Sequence, residues 1–303
     1  MRSYLVTGGC GFIGSHLADA LLAAGHRVRI LDDLSTGKRA NKPAGATLIE
    51  GDVADPETVG GAIDGADGVF HLAAIASVER GNREWLATHR VNVGGTITVL
   101  DAARRAGRLP VVYASSAAVY GDNPNVPLAE DAATRPLSAY GVDKLSSELH
   151  GRVARHVHGV PAVGLRLFNV FGPRQDPASP YSGVISIFCD RIDAGEEVTV
   201  YGDGRQTRDF VFVDDVVAGL LAAMERLPDE PAVLNLCTGV ATSVLDLVGI
   251  VGELCRKPPR IVHAAPRAGD IRASSGDPGL AERRLGWRPA VALRDGLRRT
   301  LTA

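Results

Sequence analysis

The chain has 303 residues, of which 45% are hydrophobic and 22% charged, and its formal net charge is -2. This length predicts two domains, or one domain with an elaboration, in an ordinary soluble globular protein. The near-neutral charge argues against nucleic acid and against an anionic membrane surface as partners. The first predicted strand starts almost at residue 1 and no apolar run approaches ~18 residues, so we expect a cytoplasmic protein without a signal peptide or membrane span. The four cysteines, which lack CxxC spacing and a matching histidine cluster, predict free thiols and no metal site.

Residues 4–14 indicate an apolar strand, a glycine-rich turn and the start of a helix. The glycines satisfy both G-x-G-x-x-G and G-x-x-G-x-x-G, and such glycines allow a tight turn, the approach of a pyrophosphate and close helix packing. A second apolar run ends at Asp32 and Asp33, and Asp32 lies 18 residues after Gly14. This is the spacing of an acid that binds an adenosine ribose. The plainer alternative is a glycine-rich turn in any α/β protein.

Short apolar runs alternate with helical patterns through the first 170 residues, which predicts βαβ units around a parallel sheet. Strands are predicted near residues 4–7, 26–31, 47–50, 69–74, 109–114 and 163–168, and helices over residues 12–24, 85–106 and 138–156. The predicted fold is therefore α/β, a doubly wound (Rossmann) parallel sheet that binds a dinucleotide.

Loops rich in glycine and proline follow residue 169 and indicate a domain boundary. An apolar segment at 210–213, a helix over 214–226 and a strand over 233–236 are expected to rejoin the first domain. Helices over 243–256 and 278–285 predict a smaller, irregular α/β substrate-binding domain. The expected division is 1–168 with 210–237 for the cofactor, and 169–209 with 238–303 for the substrate.

Residues after two of the predicted strands are candidates for cofactor contact. Asp52 and Val53 follow the third strand, where an acid can hold an adenine amino group and an apolar side chain can cover its ring; a plain loop aspartate is the alternative. Small residues end the fourth strand and let a cofactor lie against the backbone. His71, which has apolar neighbours, is expected to pack in the sheet. Asn92 is either a satisfied buried amide or a contact to the cofactor side of the sheet.

Ser115 and Ser116 end the fifth predicted strand, and Tyr140 and Lys144 share one face of the following helix because they are four residues apart. Tyrosine has a reference pKa of about 10, too high for an efficient base near neutrality. A lysine one turn away and a positive nicotinamide ring favour the phenolate. Tyr140 is then expected to take a proton from a substrate hydroxyl whose oxygen Ser116 orients.

These motifs resemble the extended short-chain dehydrogenase/reductases, and within them the nucleotide-sugar 4-epimerases of the UDP-galactose 4-epimerase type. The segments that carry the resemblance span nearly the whole chain: residues 7–14, 115–116 with 119–121, 140–144 and 167–169. The resemblance implies a tightly held NAD, hydride abstraction from carbon 4 of the sugar, and return of the hydride to the other face of a rotated 4-keto intermediate. It implies catalytic roles for Ser116, Tyr140 and Lys144.

The resemblance also implies contacts to the two ligands. The cofactor-binding positions are Gly8, Gly11, Phe12, Ile13, Gly14, Asp32, Asp33, Ser35, Thr36, Gly37, Asp52, Val53, Leu72, Ala73, Ala74, Asn92, Ser115, Tyr140, Lys144 and Phe168. The substrate-binding positions are Ser77, Ser116, Tyr140, Asn169, Arg208, Arg267, Asp270 and Ser275. Arg208 and Arg267 are implied to bind the diphosphate, since an arginine fork matches phosphate oxygens, and Asp270 the ribose.

Two features refine the expected activity. Related dehydratases and decarboxylating enzymes carry acids after the active-site serine, where this chain has Ala117 and Ala118, which favours plain epimerisation. Relatives restricted to plain hexoses hold a tyrosine where this chain has Ser275, so an N-acetyl group at carbon 2 is expected to fit; a serine that only lines a loop is the alternative.

Other interpretations of the chain stay open, namely a silent dinucleotide-binding regulator or scaffold, and a redox enzyme that releases its reduced cofactor. Apolar stripes on the helices over 91–106 and 138–156 predict a homodimer through a four-helix bundle.

Overall fold

The apolar runs of the sequence form strands and the longer periodic stretches form helices in a computed structural model, which describes residues 1–176, 184–227, 232–266 and 271–302. The strands are β1 Ser3–Thr7, β2 Arg27–Asp32, β3 Thr47–Glu50, β4 Gly68–His71, β5 Val111–Ser116, β6 Ala162–Leu167, β7 Asn169–Phe171, β8 Glu197–Tyr201, β9 Thr207–Phe212, β10 Ala232–Leu236, β11 Ala241–Ser243, β12 Arg260–Ala264 and β13 Ala273–Ser274. The helices are α1 Phe12–Ala23, α2 Pro56–Ile63, α3 Val78–Arg83, α4 Trp85–His89, α5 Gly95–Arg105, α6 Ala139–His158, α7 Val184–Ala194, α8 Val213–Glu225, α9 Val244–Cys255, α10 Gly279–Leu285 and α11 Leu293–Leu301.

The main sheet has seven parallel strands in the order β10-β6-β5-β4-β1-β2-β3. Strand order reverses between β1 and β4, and ligands of such sheets bind at the carboxyl ends of the strands beside this switch point. Because helices cover both faces, the central strands are buried along their full length, which explains why they are nearly continuous apolar runs. The predicted doubly wound α/β fold is confirmed.

Each face of the main sheet has its own apolar core. On one face Leu17 and Leu21 of α1 pack with Val216 and Leu220 of α8, and all four side chains are buried. The other face carries a separate cluster in which α2 and α5 cover β1, β4 and β5. The chain end returns to the first face, where Trp287 donates its indole N–H to the carbonyl of Asp215 at 2.8 Å.

A smaller sheet stands beside the carboxyl ends of β6 and β10. Strand β9 is its centre and pairs in parallel with β7 and β13 and antiparallel with β11, while β8 and β12 form a separate parallel pair. The core of this part is formed by α7, α9 and α11, and Phe171 and Phe212 lie within it with ring centres 5.4 Å apart.

The structure differs from the expected elements at three places. The helix predicted over residues 85–106 is broken into α4, a π-helical turn at Arg90–Gly94, and α5. Strand β9, expected to rejoin the first domain, belongs to the smaller sheet, whereas β10 pairs with β6 as an edge of the main sheet. Elements that were not predicted are the short strands β7, β8, β11, β12 and β13 and the helices α2, α3, α7 and α11. The division into two domains stays a prediction.

None of the helices in the described residues is long and apolar enough to cross a membrane. The described residues also contain no group of three or more histidine, cysteine, aspartate or glutamate side chains that is placed to hold a metal ion. The cysteines Cys10, Cys189, Cys237 and Cys255 are free thiols, as predicted.

Candidate active site

The turn after β1 depends on two glycines that lie against backbone atoms. Gly8 has a φ of 71°, in the left-handed region, and its N–H donates to the carbonyl of Leu31 at 2.8 Å. A β-carbon at Gly8 would lie 2.7 Å from the backbone nitrogen of Ala73, and one at Gly14 would lie 2.2 Å from the Gly8 carbonyl oxygen. Backbone atoms cannot give way as a flexible side chain can, so any larger residue would move α1 or the tip of β4.

Helix α1 begins directly after this turn with Gly11 as its cap residue, in extended backbone. The first N–H groups of an α-helix lack an intrahelical partner and carry the positive end of its dipole, so this helix start suits a phosphate. Phe12 and Ile13, both predicted to contact the cofactor, are partly buried and pack against the apolar core of the smaller sheet. The cofactor turn therefore contacts both parts of the molecule.

Asp32 ends β2 and its carboxylate is held by backbone N–H groups. Oδ2 accepts from Cys10 at 2.9 Å and Oδ1 accepts from Leu34 at 2.9 Å. Burial raises the pKa of Asp32 above its usual value, and these two hydrogen bonds oppose the rise. Gly37 lies close by, because a β-carbon there would be 2.7 Å from Oδ1. The predicted ribose-binding acid thus lies at the edge of the glycine-rich turn.

The loop after β2 carries the other positions predicted on the ribose side. The Asp33 carboxylate accepts from the N–H of Ser35 at 3.0 Å and from its hydroxyl at 2.7 Å, which closes a local turn. Thr36 is exposed. Lys38 pairs with Asp176 at 2.7 Å, so this nearby cation is engaged with a carboxylate.

Asp52 and Val53, the predicted adenine contacts, lie in the turn after β3. One oxygen of Asp52 accepts from the N–H of Ala54 at 2.8 Å, and the other is paired with Arg90. Val53 is buried against Gly95, where a β-carbon would lie 2.7 Å from Val53 Cγ1. The carboxylate therefore closes a local turn, and its contact to adenine stays a prediction.

The tip of β4 is joined to β1 and α5 by a buried hydrogen-bond chain. Thr7 Oγ1 accepts from the N–H of Ala73 at 3.2 Å and bonds His71 Nδ1 at 2.8 Å, while His71 Nε2 bonds Thr96 Oγ1 at 3.1 Å. Burial, with the Lys144 ammonium as a second cause, lowers the pKa of His71 to about 3 and keeps the imidazole neutral. His71 is packed inside the sheet, as predicted. The three positions after it, all partly buried, are Leu72, Ala73 and Ala74.

Asn92 is a satisfied buried amide, the first of the two alternatives. Its Oδ1 accepts from the N–H of Ile75 at 2.8 Å, and its Nδ2 donates to the carbonyl of Ile75 at 3.3 Å and to Asp143 Oδ2 at 3.4 Å. Because Asn92 lies in the π-helical turn, these bonds tie the loop after β4 to that turn and to α6. A direct contact to the cofactor stays a prediction.

The three predicted catalytic residues are brought together by β5 and α6. Ser116 ends β5, and Ser138 caps α6, which carries Tyr140 and Lys144. Ser116 Oγ accepts from the N–H of Ala118 at 3.2 Å, and the Ser116 hydroxyl lies near enough to the Tyr140 phenol to lower its pKa. Lys144 Nζ donates to the carbonyl of Ala114 at 2.8 Å and lies 5.8 Å from the centre of the Tyr140 ring. A hydroxyl, a phenol and an ammonium thus share one place at the carboxyl end of the sheet.

The pKa values of this pair differ from the simple expectation. Burial raises the pKa of Tyr140, and the nearby Ser116 hydroxyl opposes the rise. Burial also lowers the pKa of Lys144 to about 8, and the neighbouring Asp143 opposes that change. Within the protein alone, desolvation therefore outweighs the lowering that Lys144 was expected to produce. The further lowering by a cationic nicotinamide ring stays a prediction.

Three of the remaining predicted positions lie near the carboxyl ends of β4 and β6. Ser77 is buried and caps α3, accepting from the N–H of Arg80 at 3.0 Å. Phe168 is buried with its ring centre 6.3 Å from that of Tyr120. Asn169 is exposed at the start of β7. Ser77 thus has a structural role in α3, and its contact to substrate stays a prediction.

The smaller sheet brings Arg208 near Ser274 and Ser275, the second of which was predicted to lie beside carbon 2 of the sugar. Arg208 Nη1 donates to the carbonyl of Ile271 at 2.9 Å, and Ser274 is the register partner of Arg208 across β13 and β9. Ser275 is 5% exposed, and its carbonyl accepts from the N–H of Leu128 at 2.9 Å. The two predicted positions that lie outside the described residues are Arg267 and Asp270.

Two buried acids that hold the site were missed in the sequence. The Asp209 carboxylate accepts from the N–H groups of Thr238 at 2.8 Å, Gly239 at 2.8 Å and Gly276 at 3.3 Å, and so joins two loops to β9. Glu148 lies on the same face of α6 as Tyr140, eight residues further on. That spacing was a signal for Glu148, whereas no local pattern marks Asp209.

The fold and the tyrosine–lysine helix together define a class, the extended short-chain dehydrogenase/reductases. Within it the chain belongs to the NAD dependent epimerase/dehydratase family, whose model matches residues 4–237. The resemblance found in the motifs is thereby confirmed, as are the predictions of an isomerase and of NAD as its cofactor.

Three proteins are similar to this chain over nearly its whole length. The UDP-glucose 4-epimerase of Mycolicibacterium smegmatis is 38% identical over 98% of this chain and 96% of its own. The crystal structure of UDP-glucose 4-epimerase from Thermotoga maritima with UDP-glucose has a TM-score of 0.96 at 38% identity, covering 99% of this chain and 97% of that one. The UDP-N-acetylglucosamine 4-epimerase from Methanobrevibacter ruminantium M1, in complex with UDP-N-acetylmuramic acid, has a TM-score of 0.94 at 35% identity, covering 99% and 97%.

The residues present fit NAD. Gly8 and Gly14 leave a backbone-lined turn that a β-carbon would fill, and the start of α1 offers N–H groups to a pyrophosphate. The carboxylate of Asp32 stands at the end of β2, where the family places its ribose contact.

Proposed function

We propose that the protein interconverts UDP-glucose and UDP-galactose by inverting carbon 4 of the sugar, and that it also accepts UDP-N-acetylglucosamine and its galacto epimer. The observation that carries the proposal is that β5 and α6 bring Ser116, Tyr140 and Lys144 together at the carboxyl end of a dinucleotide-binding sheet. The three similar proteins support the substrate class, since they are 4-epimerases of UDP-glucose and of UDP-N-acetylglucosamine.

Bound NAD supplies a reversible hydride acceptor for carbon 4. Tyr140 takes the proton of the 4-hydroxyl, and Ser116 donates a hydrogen bond to the same oxygen and orients it. Lys144, when protonated, stabilises the phenolate form of Tyr140 because opposite charge favours ionisation. Its carbonyl partner, Ala114, holds the ammonium close to the tyrosine ring.

The same groups serve the return step after the 4-keto sugar has rotated in the site. Tyr140 then gives its proton back to the sugar oxygen, so the protein ends in its starting protonation state. An elimination of water needs a second acid after Ser116, and this chain has Ala117 and Ala118 in a short 3-10 helix there. The chemistry therefore stops at epimerisation.

The nucleotide end of the substrate is assigned to the smaller sheet. Arg208 and Arg267 bind the diphosphate, and Asp270 binds the ribose. A guanidinium stays charged when desolvated and matches phosphate oxygens, which suits a partly buried arginine such as Arg208. Ser275 forms the wall beside carbon 2 of the sugar and leaves room for an N-acetyl group.

The cofactor is NAD in preference to NADP, because the carboxylate of Asp32 accepts hydrogen bonds from ribose hydroxyls and repels a 2′-phosphate. The two nearby cations that oppose this preference, Lys38 and Arg39, are paired with Asp176 and Glu50. Nucleotide released by denaturing the purified protein is therefore expected to be NAD. NADP in that supernatant would contradict the role of Asp32.

The protein acts as a homodimer through α4, α5 and α6. Helix α6 presents Val142, Leu149, Val153 and Val157 on its outer face, and each side chain is at least 46% exposed. Their spacing of seven, four and four residues keeps them in one stripe. Neighbouring α4 and α5 add Trp85, Leu86 and Ile97 to the exposed apolar surface. Sedimentation equilibrium tests this: the parent should be a dimer and Leu149→Lys a monomer, whereas a monomeric parent would refute it.

The test of function is incubation of the purified protein with UDP-galactose or UDP-N-acetylgalactosamine without added NAD, with products identified by NMR. Formation of both gluco epimers is expected. A silent regulator would give no product, and a redox enzyme that releases its reduced cofactor would give oxidised sugar only when NAD is supplied. Epimerisation of the plain hexose alone would keep the 4-epimerase and remove the N-acetylated substrates.

A further inference from the structure

One face of α6 is bound to β5 at successive points. Tyr140 lies beside Ser116 at the end of the strand, and Lys144 bonds the carbonyl of Ala114 at 2.8 Å. One turn further, Glu148 accepts a hydrogen bond from the hydroxyl of Ser115 at 2.5 Å. The hydrogen bond to Ser115 therefore holds the residue directly beside the catalytic serine.

Glu148 is buried, with 5% of its surface exposed, and both of its oxygens are occupied. Oε1 accepts from Ser115 Oγ and from Arg166 Nε at 2.9 Å, and Oε2 accepts from Arg166 Nη2 at 2.8 Å. Such a two-point pair fixes the plane of the carboxylate as well as its position. The proposed mechanism gives neither charged residue a part in proton transfer.

Arg166 is in turn held from its other side. Its Nη1 donates to the hydroxyl of Tyr120 at 2.8 Å and to the carbonyl of Glu130 at 2.9 Å, and the guanidinium lies 4.7 Å from the centre of the Tyr120 ring. The Tyr120 hydroxyl donates to Asn235 Oδ1 at 2.7 Å. The pair is thus anchored to β6, on which Arg166 lies, and to β10, which carries Asn235.

We propose that Glu148, clamped by Arg166, is a positioning residue that acts through Ser115 to set the place of Ser116 relative to Tyr140. The proposal rests on the proposed epimerase function for its kinetic readout. In the proposed mechanism Ser116 and Tyr140 must both reach the same substrate oxygen, and a misplacement of about 1 Å can cost roughly 100-fold in rate. A carboxylate fixed to two strands and bonded to the adjacent serine restricts that geometry.

The alternative is a buried ion pair that only stabilises the fold. Removing one partner of such a pair leaves an uncompensated charge, so a fall in Tm alone cannot distinguish the two roles. Glu148 and Arg166 border a cavity of about 470 Å³, which gives water room to reach the charge that a variant uncovers. We therefore expect single variants at Glu148 to fold.

The experiment uses Ser115→Ala, Glu148→Gln and the double variant, each assayed for epimerisation at a temperature well below its Tm. Each single variant should lower kcat roughly 10- to 100-fold with KM changed less than about threefold. Because Glu148 acts through Ser115, the two effects should not add. The kcat of the double variant should be no lower than that of the single variant with the lower kcat. The Tm of Glu148→Gln should fall, and that of Ser115→Ala should stay near the parent value.

Asp215→Asn is the matched control. Asp215 is a buried carboxylate on α8 that accepts from the N–H groups of Ala290 at 2.9 Å and Val291 at 3.0 Å. This variant should have a lower Tm than the parent and the same kcat. A Glu148→Gln protein that behaves in the same way, or single effects that multiply in the double variant, would overturn the proposal.

A second readout does not depend on any sugar. The nearby Ser116 hydroxyl lowers the pKa of Tyr140, so a displaced Ser116 should raise the midpoint of tyrosinate formation. That midpoint is measured from the ultraviolet difference between each protein and its Tyr140→Phe form. Ser115→Ala, which removes no charge, should raise that midpoint, and an unchanged midpoint would overturn the positioning role. If the parent protein fails to epimerise UDP-sugars, the proposed function has failed, and this titration still decides the role of Ser115.

Discussion

The two sides of the candidate site are built differently. On the main-sheet side, Tyr140 and Lys144 are carried by a helix of 20 residues that is bonded to β5 at several places. On the smaller-sheet side, Arg208 and Ser274 are held by backbone pairing between β9 and a strand of only two residues. Under the proposed function, we therefore expect substitutions on the helix side to change the rate of the chemistry and those on the short strands to change which sugar is accepted.

The largest effect is expected from Tyr140→Phe, which removes the proton-transfer group and keeps the ring. Turnover should fall by roughly 100-fold or more, because general acid–base catalysis contributes about that much, while KM for the nucleotide sugar stays nearly unchanged. Steady-state kinetics with UDP-galactose measures both, and Tyr4→Phe, far from the site at the start of β1, is the control. A parent rate in the Tyr140→Phe protein would mean that another group is the base.

Lys144→Ala should lower turnover and also weaken retention of the cofactor. The ammonium is buried and bonded to the carbonyl of Ala114, so its loss removes the positive charge nearest to Tyr140. Kinetics with and without added NAD, together with the nucleotide content of the purified protein, measure the two effects. Full retention of NAD with a normal rate would exclude a role for Lys144 on this side of the site.

Ser275→Tyr is expected to change specificity more than rate. Ser275 is 5% exposed, and a tyrosine ring there should collide with an N-acetyl group at carbon 2, lowering kcat/KM on UDP-N-acetylgalactosamine roughly 10- to 100-fold relative to UDP-galactose. Ser275→Ala is the matched control and should keep both activities. Equal losses on both sugars would show that Ser275 supports the loop and does not line the sugar site.

The smallest effect concerns stability on the main-sheet side, where His71 is buried and its pKa is lowered to about 3. The buried imidazole stays uncharged in the folded state, whereas the same side chain binds a proton in the unfolded chain below pH ~6.5. Protonation therefore favours the unfolded chain, and the free energy of unfolding falls as the pH falls from ~6.5 toward 3. Between pH 7 and pH 5 the parent should lose roughly 2 kcal/mol of unfolding free energy more than His71→Gln does. Urea unfolding of both proteins at the two pH values measures this, and parallel losses would contradict a buried neutral imidazole.

The sequence predicted the main sheet and the residues on its edge because their signals are local. The glycine spacing before α1, the acid at the end of β2 and the four-residue spacing of Tyr140 and Lys144 each lie within one short stretch. The smaller sheet gave no such signal, since β11 and β13 have three and two residues and too short a pattern for alternation to be seen.

Contacts between residues that are distant in the sequence were the other features that the sequence could not predict. Glu148 is explained only by Ser115 and Arg166, and Asp209 only by loops 29 to 67 residues away. The π-helical turn at Arg90–Gly94 follows from the same kind of contact, because Asn92 there bonds the backbone of Ile75. In the protein alone, desolvation raises the pKa of Tyr140. Helix spacing could not predict this, because it places a lysine nearby but gives no measure of desolvation.

The central claim is that carbon 4 is inverted by hydride transfer within one closed site on this chain. It is tested most directly with UDP-galactose that carries deuterium at carbon 4, incubated with the purified protein without added NAD and followed by NMR. The expected product is UDP-glucose that keeps the deuterium at carbon 4. Loss of the label to solvent, or product formation only when NAD is added, would contradict it.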